Sequence, residues 1–130
     1  MLPLGNGAGH VTAAPPPRSP VLLGVDRLLG SPESFPALFS SVSRVGLVTS
    51  DGTPPGPYTF LSTRKALLDA GAPLARLFAP EHGLSAMAGD GEAQPDGFDA
   101  ETGLPVVSLY GVRFSPPPDT LAELDLVLFD

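Results

Sequence analysis

Glu81 and His82 stand side by side in residues 77–83 (LFAPEHG), where a short apolar run delivers a carboxylate and an imidazole at what reads as the end of a strand. Such a pair suits acid–base chemistry. In open α/β sheets ligands collect beyond the carboxyl ends of the strands, so both side chains fall where a site forms. A general acid needs its carboxyl group kept protonated near neutral pH, which burial at a sheet edge can provide. The competing structural reading has Glu81 cap the next turn or pair with an arginine. His82 can orient Glu81, bind a hydroxyl group or simply pack. Asp90, Gly91 and Glu92 follow in a glycine-containing loop, where Glu92 suits a substrate contact and a solvated loop acid equally. Tyr110 ends a later apolar run and either stacks beneath a ring or fills the core. One histidine in a turn makes no metal site, and the other, His10, lies near the amino terminus, so neither metal nor cofactor is expected.

Periodicity supplies the elements that must position these residues. Val45, Leu47 and Val48 form a continuous apolar run, as expected of a strand covered on both faces. The run stops at Ser50-Asp51-Gly52, and Pro54-Pro55-Gly56 extends the turn. Ser62 is placed to cap a helix over residues 62–70 with Ala66, Leu67 and Ala70 on one side and Gly71 as its stop. Residues 74–79 read as a second strand, 106–110 as a third and 126–129 as a fourth, the last after a short helix begun near Asp119 or Thr120. Strand, helix, strand is a βαβ unit, and its crossover is right-handed in nearly all proteins. The expectation is a Rossmann-like α/β fold, a parallel sheet with helices on both faces. No G-x-G-x-x-G joins a strand to a helix and no P-loop pattern occurs; residues 5–9 (GNGAG) lack a preceding strand.

Composition sets the remaining bounds. A chain of 130 residues, 42% hydrophobic and 16% charged, can fill one modest core. Its 17 prolines and 15 glycines border on low complexity, but they cluster in the leader, in Pro116-Pro117-Pro118 and at turns, leaving the expected strand runs free of proline. Seven basic residues face 14 acidic ones, and Arg113 is the single base from Glu81 onward. No cluster of Lys or Arg exists to neutralise phosphates, so nucleic acid is not an expected partner. The absence of cysteine removes disulfides and thiolate metal sites. Residues 1–20 have neither the basic start nor the apolar run of an export signal and read as a disordered leader; without a signal peptide, a cytoplasmic location is favoured. No apolar stretch approaches the ~20 residues needed to span a bilayer.

The order RVGLVT (44–49), the helix at 62–70, PEHG (80–83), Gly91-Glu92 and TGLPVVSLYG (102–111) resembles the amino-terminal half of the NamZ-type exo-β-N-acetylmuramidases. These are glycosidases that remove N-acetylmuramic acid from the non-reducing ends of peptidoglycan fragments. PEHG alone is a weak signal; PEHG followed by GE and then TGLPVVSLYG is a specific one. The resemblance covers residues 21–130 and implies that Glu81 is catalytic. It further implies that His82, Gly83, Asp90, Gly91, Glu92, Ser50, Tyr110 and Asp130 line the same cleft, with a muramyl sugar as partner. Two departures stand out. Ser85 and Ala86 occupy positions where the family often carries arginine and glycine, and Ser50 replaces its usual asparagine. Losing that arginine removes a bidentate clamp for the lactyl carboxylate of muramic acid.

Glycoside hydrolysis ordinarily uses one carboxylic acid on the leaving oxygen and a second carboxylate as base or nucleophile. The resemblance implies that the chain would continue past Asp130 into a further loop, the rest of the first domain and a separate carboxy-terminal domain. The expectation is therefore a sheet truncated after about its fourth strand, belonging to a glycosidase but inactive alone. The alternative is a non-catalytic Rossmann-like binding module or truncated gene product.

Overall fold

The computed structural model describes residues 22–51 and 61–130. The leader with His10 and the Pro54-Pro55-Gly56 turn lie outside the described residues. Five strands form one sheet: β1 (Val45–Val48), β2 (Leu74–Ala79), β3 (Gly97–Phe98), β4 (Pro105–Ser108) and β5 (Leu126–Phe129). The helices are α1 (Gly24–Leu29), α2 (Ser34–Phe39), α3 (Thr63–Asp69) and α4 (Pro118–Ala122).

Sheet order is β3-β4-β2-β1-β5, with β1, β2, β4 and β5 parallel. The fold is the expected α/β type, but the sheet is mixed rather than wholly parallel, because β3 runs antiparallel to β4 at one edge. Gly97 and Phe98 are both exposed, so this strand leaves no apolar signature. The chain steps outward from β1 to β2 and β4, then returns to add β5 on the other side of β1. The resulting switch point lies between β1 and β5, where open α/β sheets bind ligands.

All four residues of β1 are buried, which explains its continuous apolar run. Val45, Leu47 and Leu77 pack on one face with Val25 of α1 and Leu67 of α3, and Phe35 and Phe39 of α2 reach the same cluster. Val48, Phe78 and Val107 face the other way against Leu109 and Leu124. Gly46 is required at this second face, since a Cβ there would stand 2.7 Å from atoms of Phe78 and Leu124.

The α3 helix begins and ends as its sequence dictates. Ser62 accepts from the Lys65 N–H at 3.2 Å, satisfying a donor that the first turn cannot. Gly71 adopts φ +93°, and Gly71 and Ala72 return hydrogen bonds to Leu68 and Leu67. That pairing is a Schellman stop. The buried side differs from the expected one: Thr63, Arg64 and Leu67 point inward, and Ala70 is exposed. The third expected strand is shorter than its apolar run and ends at Ser108, so Tyr110 lies beyond the sheet in a bend.

Candidate functional site

Because β1, β2, β4 and β5 are parallel, the residues that follow them emerge at one edge of the sheet. Thr49, Ser50 and Asp51 follow β1; Pro80 to Gly83 follow β2; Leu109 and Tyr110 follow β4; Asp130 follows β5. With strands ~4.8 Å apart, the ends of β2 and β5 are separated by roughly 10 Å across β1, a gap of sugar dimensions.

Glu81 is exposed, so the burial expected of it is absent. Its carboxylate accepts from the Gly91 N–H at 3.4 Å. The nearby negative charge of Glu81, with partial desolvation and the charge of Asp90, holds the Tyr110 phenol above its ordinary range. Tyr110 therefore remains a donor well beyond neutral pH. Its ring meets Phe114 edge-on, with centroids 5.5 Å apart, and is not packed into the main core.

His82 adopts φ +70° and Gly83 φ +75°, two successive left-handed residues that reverse the chain after β2. Left-handed backbone strains a residue bearing a Cβ, and such strain gathers at functional sites. His82 Nδ1 lies 2.9 Å from the Ala88 carbonyl, which can only accept, so Nδ1 carries the proton and Nε2 faces Asp90 at 3.9 Å. Gly83 is buried, and a Cβ there would lie 3.1 Å from Gln94 Cγ. Glu92 turns back on its own loop, accepting from the Gly89 N–H at 2.9 Å. Asp130 accepts from the Thr49 hydroxyl at 3.2 Å, joining the ends of β1 and β5. The structure thus brings Glu81, Tyr110, Gly91 and the His82–Asp90 pair into one cluster. Thr49 and Asp130, with Ser50 adjoining, form a second group across β1.

Arg64 is the residue that sequence reasoning missed. Its side chain is only 7% exposed and is surrounded by three acids. Nε donates to Asp99 at 2.9 Å, another guanidinium nitrogen pairs with Asp51, and a third reaches Glu101 at 3.2 Å. Asp99 also accepts from the Thr102 hydroxyl at 2.6 Å and the Thr102 N–H at 3.1 Å. Burial alone would disfavour the Asp99 charge, yet the bonds from Thr102 and Arg64 together hold its carboxyl below the usual range. The only sequence signal was an arginine on the apolar side of α3, with acids in the turns on either side. Asp51, Arg64, Gly83, Phe98, Asp99 and Glu101 line a cavity of about 490 Å³. A second cavity, about 410 Å³ and largely apolar, lies between α1, α3 and the ends of β1 and β5, with Asp130 at its rim. Neither is lined by Glu81, His82 or Tyr110. The chemistry-bearing cluster is an open surface, with the Arg64 network behind the loop that carries it.

Among the described residues, no group of three or more His, Asp or Glu is arranged to hold a metal ion. No described helix is long and apolar enough to cross a membrane. An exposed carboxylate with a phenol nearby and an adjacent imidazole can transfer a proton or hold a charge at a bound hydroxyl.

Residues 45–130 match the family model of the amino-terminal part of exo-β-N-acetylmuramidase NamZ. The peptidoglycan β-N-acetylmuramidase NamZ of Bacillus subtilis (strain 168) is 37% identical over 89 residues, covering 67% of this chain and 21% of the relative. The crystal structure of a DUF1343 family protein from Bacteroides fragilis is 33% identical, superposes with a TM-score of 0.56, and shares 69% of this chain and 21% of its own. The chain thus spans about a fifth of the length of the relatives it matches. From β1 to Asp130, with the PEHG turn at its carboxyl edge, the chain belongs to the family of NamZ amino-terminal domains.

Proposed function

We propose that this chain supplies one wall of the cleft of a peptidoglycan glycosidase that releases N-acetylmuramic acid from non-reducing ends. Glu81 delivers the proton to the leaving glycosidic oxygen. The observation that carries the reading is the placement of Glu81: exposed at the carboxyl end of β2, inside the family-matched stretch, with the Gly91 N–H donating to its carboxylate. His82, Asp90 and Gly91 contact the sugar from the same turn, and Gly83 permits that turn. Tyr110, Ser50 and Asp130 line the cleft across β4, β1 and β5. Glu92 serves mainly by closing its own loop. The second carboxylate of the pair lies on a part of the enzyme that these residues do not provide, so the 130 residues alone are inactive. The relative of Bacillus subtilis bears the name of this activity and supports the substrate class.

A chimera tests the reading. Residues 45–130 replace the matched segment of that relative, and release of N-acetylmuramic acid from a chromogenic muramide is measured. The chimera is expected to be active and the 130-residue chain alone inert. Glu81→Gln in the chimera keeps shape but carries no proton, so activity falls by roughly 10²–10⁴. A folded but inert chimera would favour the non-catalytic binding module, and undiminished activity of Glu81→Gln would end the acid assignment.

A further inference from the structure

The turn that carries Glu81 and His82 closes largely on itself. Gly83 N–H donates to the Pro80 carbonyl at 3.1 Å, Ala86 N–H to the Gly83 carbonyl at 3.2 Å and Ala88 N–H to the His82 carbonyl at 3.1 Å. Among the described residues, the one main-chain hydrogen bond that leaves residues 80–88 runs from the Asp51 N–H to the Leu84 carbonyl at 2.8 Å. Packing backs the turn incompletely. Leu84 is only partly buried, and the cavity of about 490 Å³ opens between Leu84 and Ser85 on one side and Phe98 and Asp99 on the other. The location of the turn therefore depends on what holds Asp51.

Arg64 holds it, and each guanidinium nitrogen goes to a different acid. Nε donates to Asp99 at 2.9 Å, and Asp99 is itself fixed in the β3–β4 turn by the Thr102 hydroxyl and N–H. Nη2 reaches Glu101 at 3.2 Å, and Glu101 also accepts from the Ser62 hydroxyl at 2.5 Å at the start of α3. Nη1 is left for Asp51. Two of the three arms thus fix the guanidinium against α3 and the β3–β4 turn, and the third passes that fixed position to Asp51 and on to Leu84. We propose, on the footing of the function given above, that Arg64 is a positioning residue for it, acting through Asp51 to hold the turn that presents Glu81 and His82. A planar fork with three separate nitrogens can serve three acids at once, whereas a lysine ammonium on a flexible stem cannot hold the same geometry.

The two partly exposed acids of Arg64 supply the variant and its control. Asp51→Ala removes the arm that reaches the turn, and Glu101→Ala removes one that does not. Both are compared in the chimera at a temperature where each is folded. Asp51→Ala should lower kcat/KM by about tenfold or more, because misplacing a catalytic group by about 1 Å costs that much, and Glu101→Ala should change it by less than about threefold. Equal losses would overturn the positioning role and spare the glycosidase reading. Arg64→Lys, which keeps the charge, should behave as Asp51→Ala does, and full activity in it would likewise overturn the role. Amide exchange followed by nitrogen NMR in the 130-residue chain reads the same link without catalysis. In Arg64→Lys the Asp51 N–H should exchange about tenfold faster while the β1 amides keep their rates, the mark of a local opening. An Asp51 N–H that is unchanged, or that rises only in step with β1, overturns the proposal even where the chimera is inert. An active Glu81→Gln chimera would end the acid assignment and leave the exchange rates to decide for Arg64.

Discussion

Arg64 donates its Nε–H to Asp99 Oδ2 at 2.9 Å, and the pair, 35 positions apart, joins α3 to the turn between β3 and β4. The same guanidinium holds Asp51, whose N–H donates to the Leu84 carbonyl at 2.8 Å. A single buried cation therefore ties the loop after β1, the PEHG turn and the β3–β4 turn into one support. Removing one member of a buried ion pair typically costs about 3–5 kcal/mol, because the remaining charges are left uncompensated. Arg64→Met should destabilise the chain by about that much, read as a lower urea midpoint. A loss below ~1 kcal/mol would mean that the network is solvated and structurally idle.

Stability should also fall in acid, and Asp99 fixes the direction. Its folded-state pKa lies below the ordinary carboxylate value of ~3.9. The stabilisation it contributes is present above that unfolded value and is lost as pH falls through the lower, folded one. Asp96 acts in the same sense through its hydrogen bond from Arg113 and the Ser108 N–H, though its exposure makes its share smaller. Urea midpoints taken from pH 7 down to about pH 3 should decline at the acid end, and less steeply in Asp99→Asn. Parallel curves for the two chains would remove Asp99 from the acid transition.

Backbone conformation makes a third case. Gly83 sits at φ +75°, and a Cβ would meet Gln94 Cγ at 3.1 Å. Gly83→Ala should cost about 1–2 kcal/mol from the left-handed backbone alone. It should also displace the turn that presents Glu81, so chimera activity should fall further than the stability loss explains. Wild-type activity at the assay temperature would show that the turn absorbs the strain without moving Glu81.

The free edge of the sheet gives a fourth. On β5, Val127 is 42% and Phe129 85% exposed, and among the described residues no strand pairs with its outer side. Flat apolar edges invite association. Sedimentation of the 130-residue chain should show a concentration-dependent rise in mass that Phe129→Lys suppresses. A monomer at every concentration would mean that this edge is protected.

The strands were legible because burial on both faces writes an unbroken apolar run, as in Val45–Val48, and α3 because Ser62 and Gly71 carry its caps in their side chains and backbone. Glu81 was legible as the polar end of such a run. The antiparallel β3 was not, since Gly97 and Phe98 are both exposed. Nor were α1 and α2, six residues each, the second with Pro36 inside it and no side-chain cap bond. Arg64 escaped because its partners Asp51, Asp99 and Glu101 are brought to it only by the sheet. The nearness of Tyr110 to the Glu81 charge escaped for a related reason: it depends on strand register, which no local pattern encodes.

The position of β5 beside β1 has a consequence for how the domain is made. Thr49 and Asp130, which meet at the end of these strands, are separated by 81 positions. During synthesis β1 emerges early, and one of its two flanks stays open until residues 126–129 have left the ribosome. The pairing that completes the switch point is therefore the one with the greatest loop-closure cost, and contacts of that kind slow folding. The crevice between β1 and β5 forms only after β2 and β4 have been made, so a nascent chain carries the turn behind β2 before that crevice is complete.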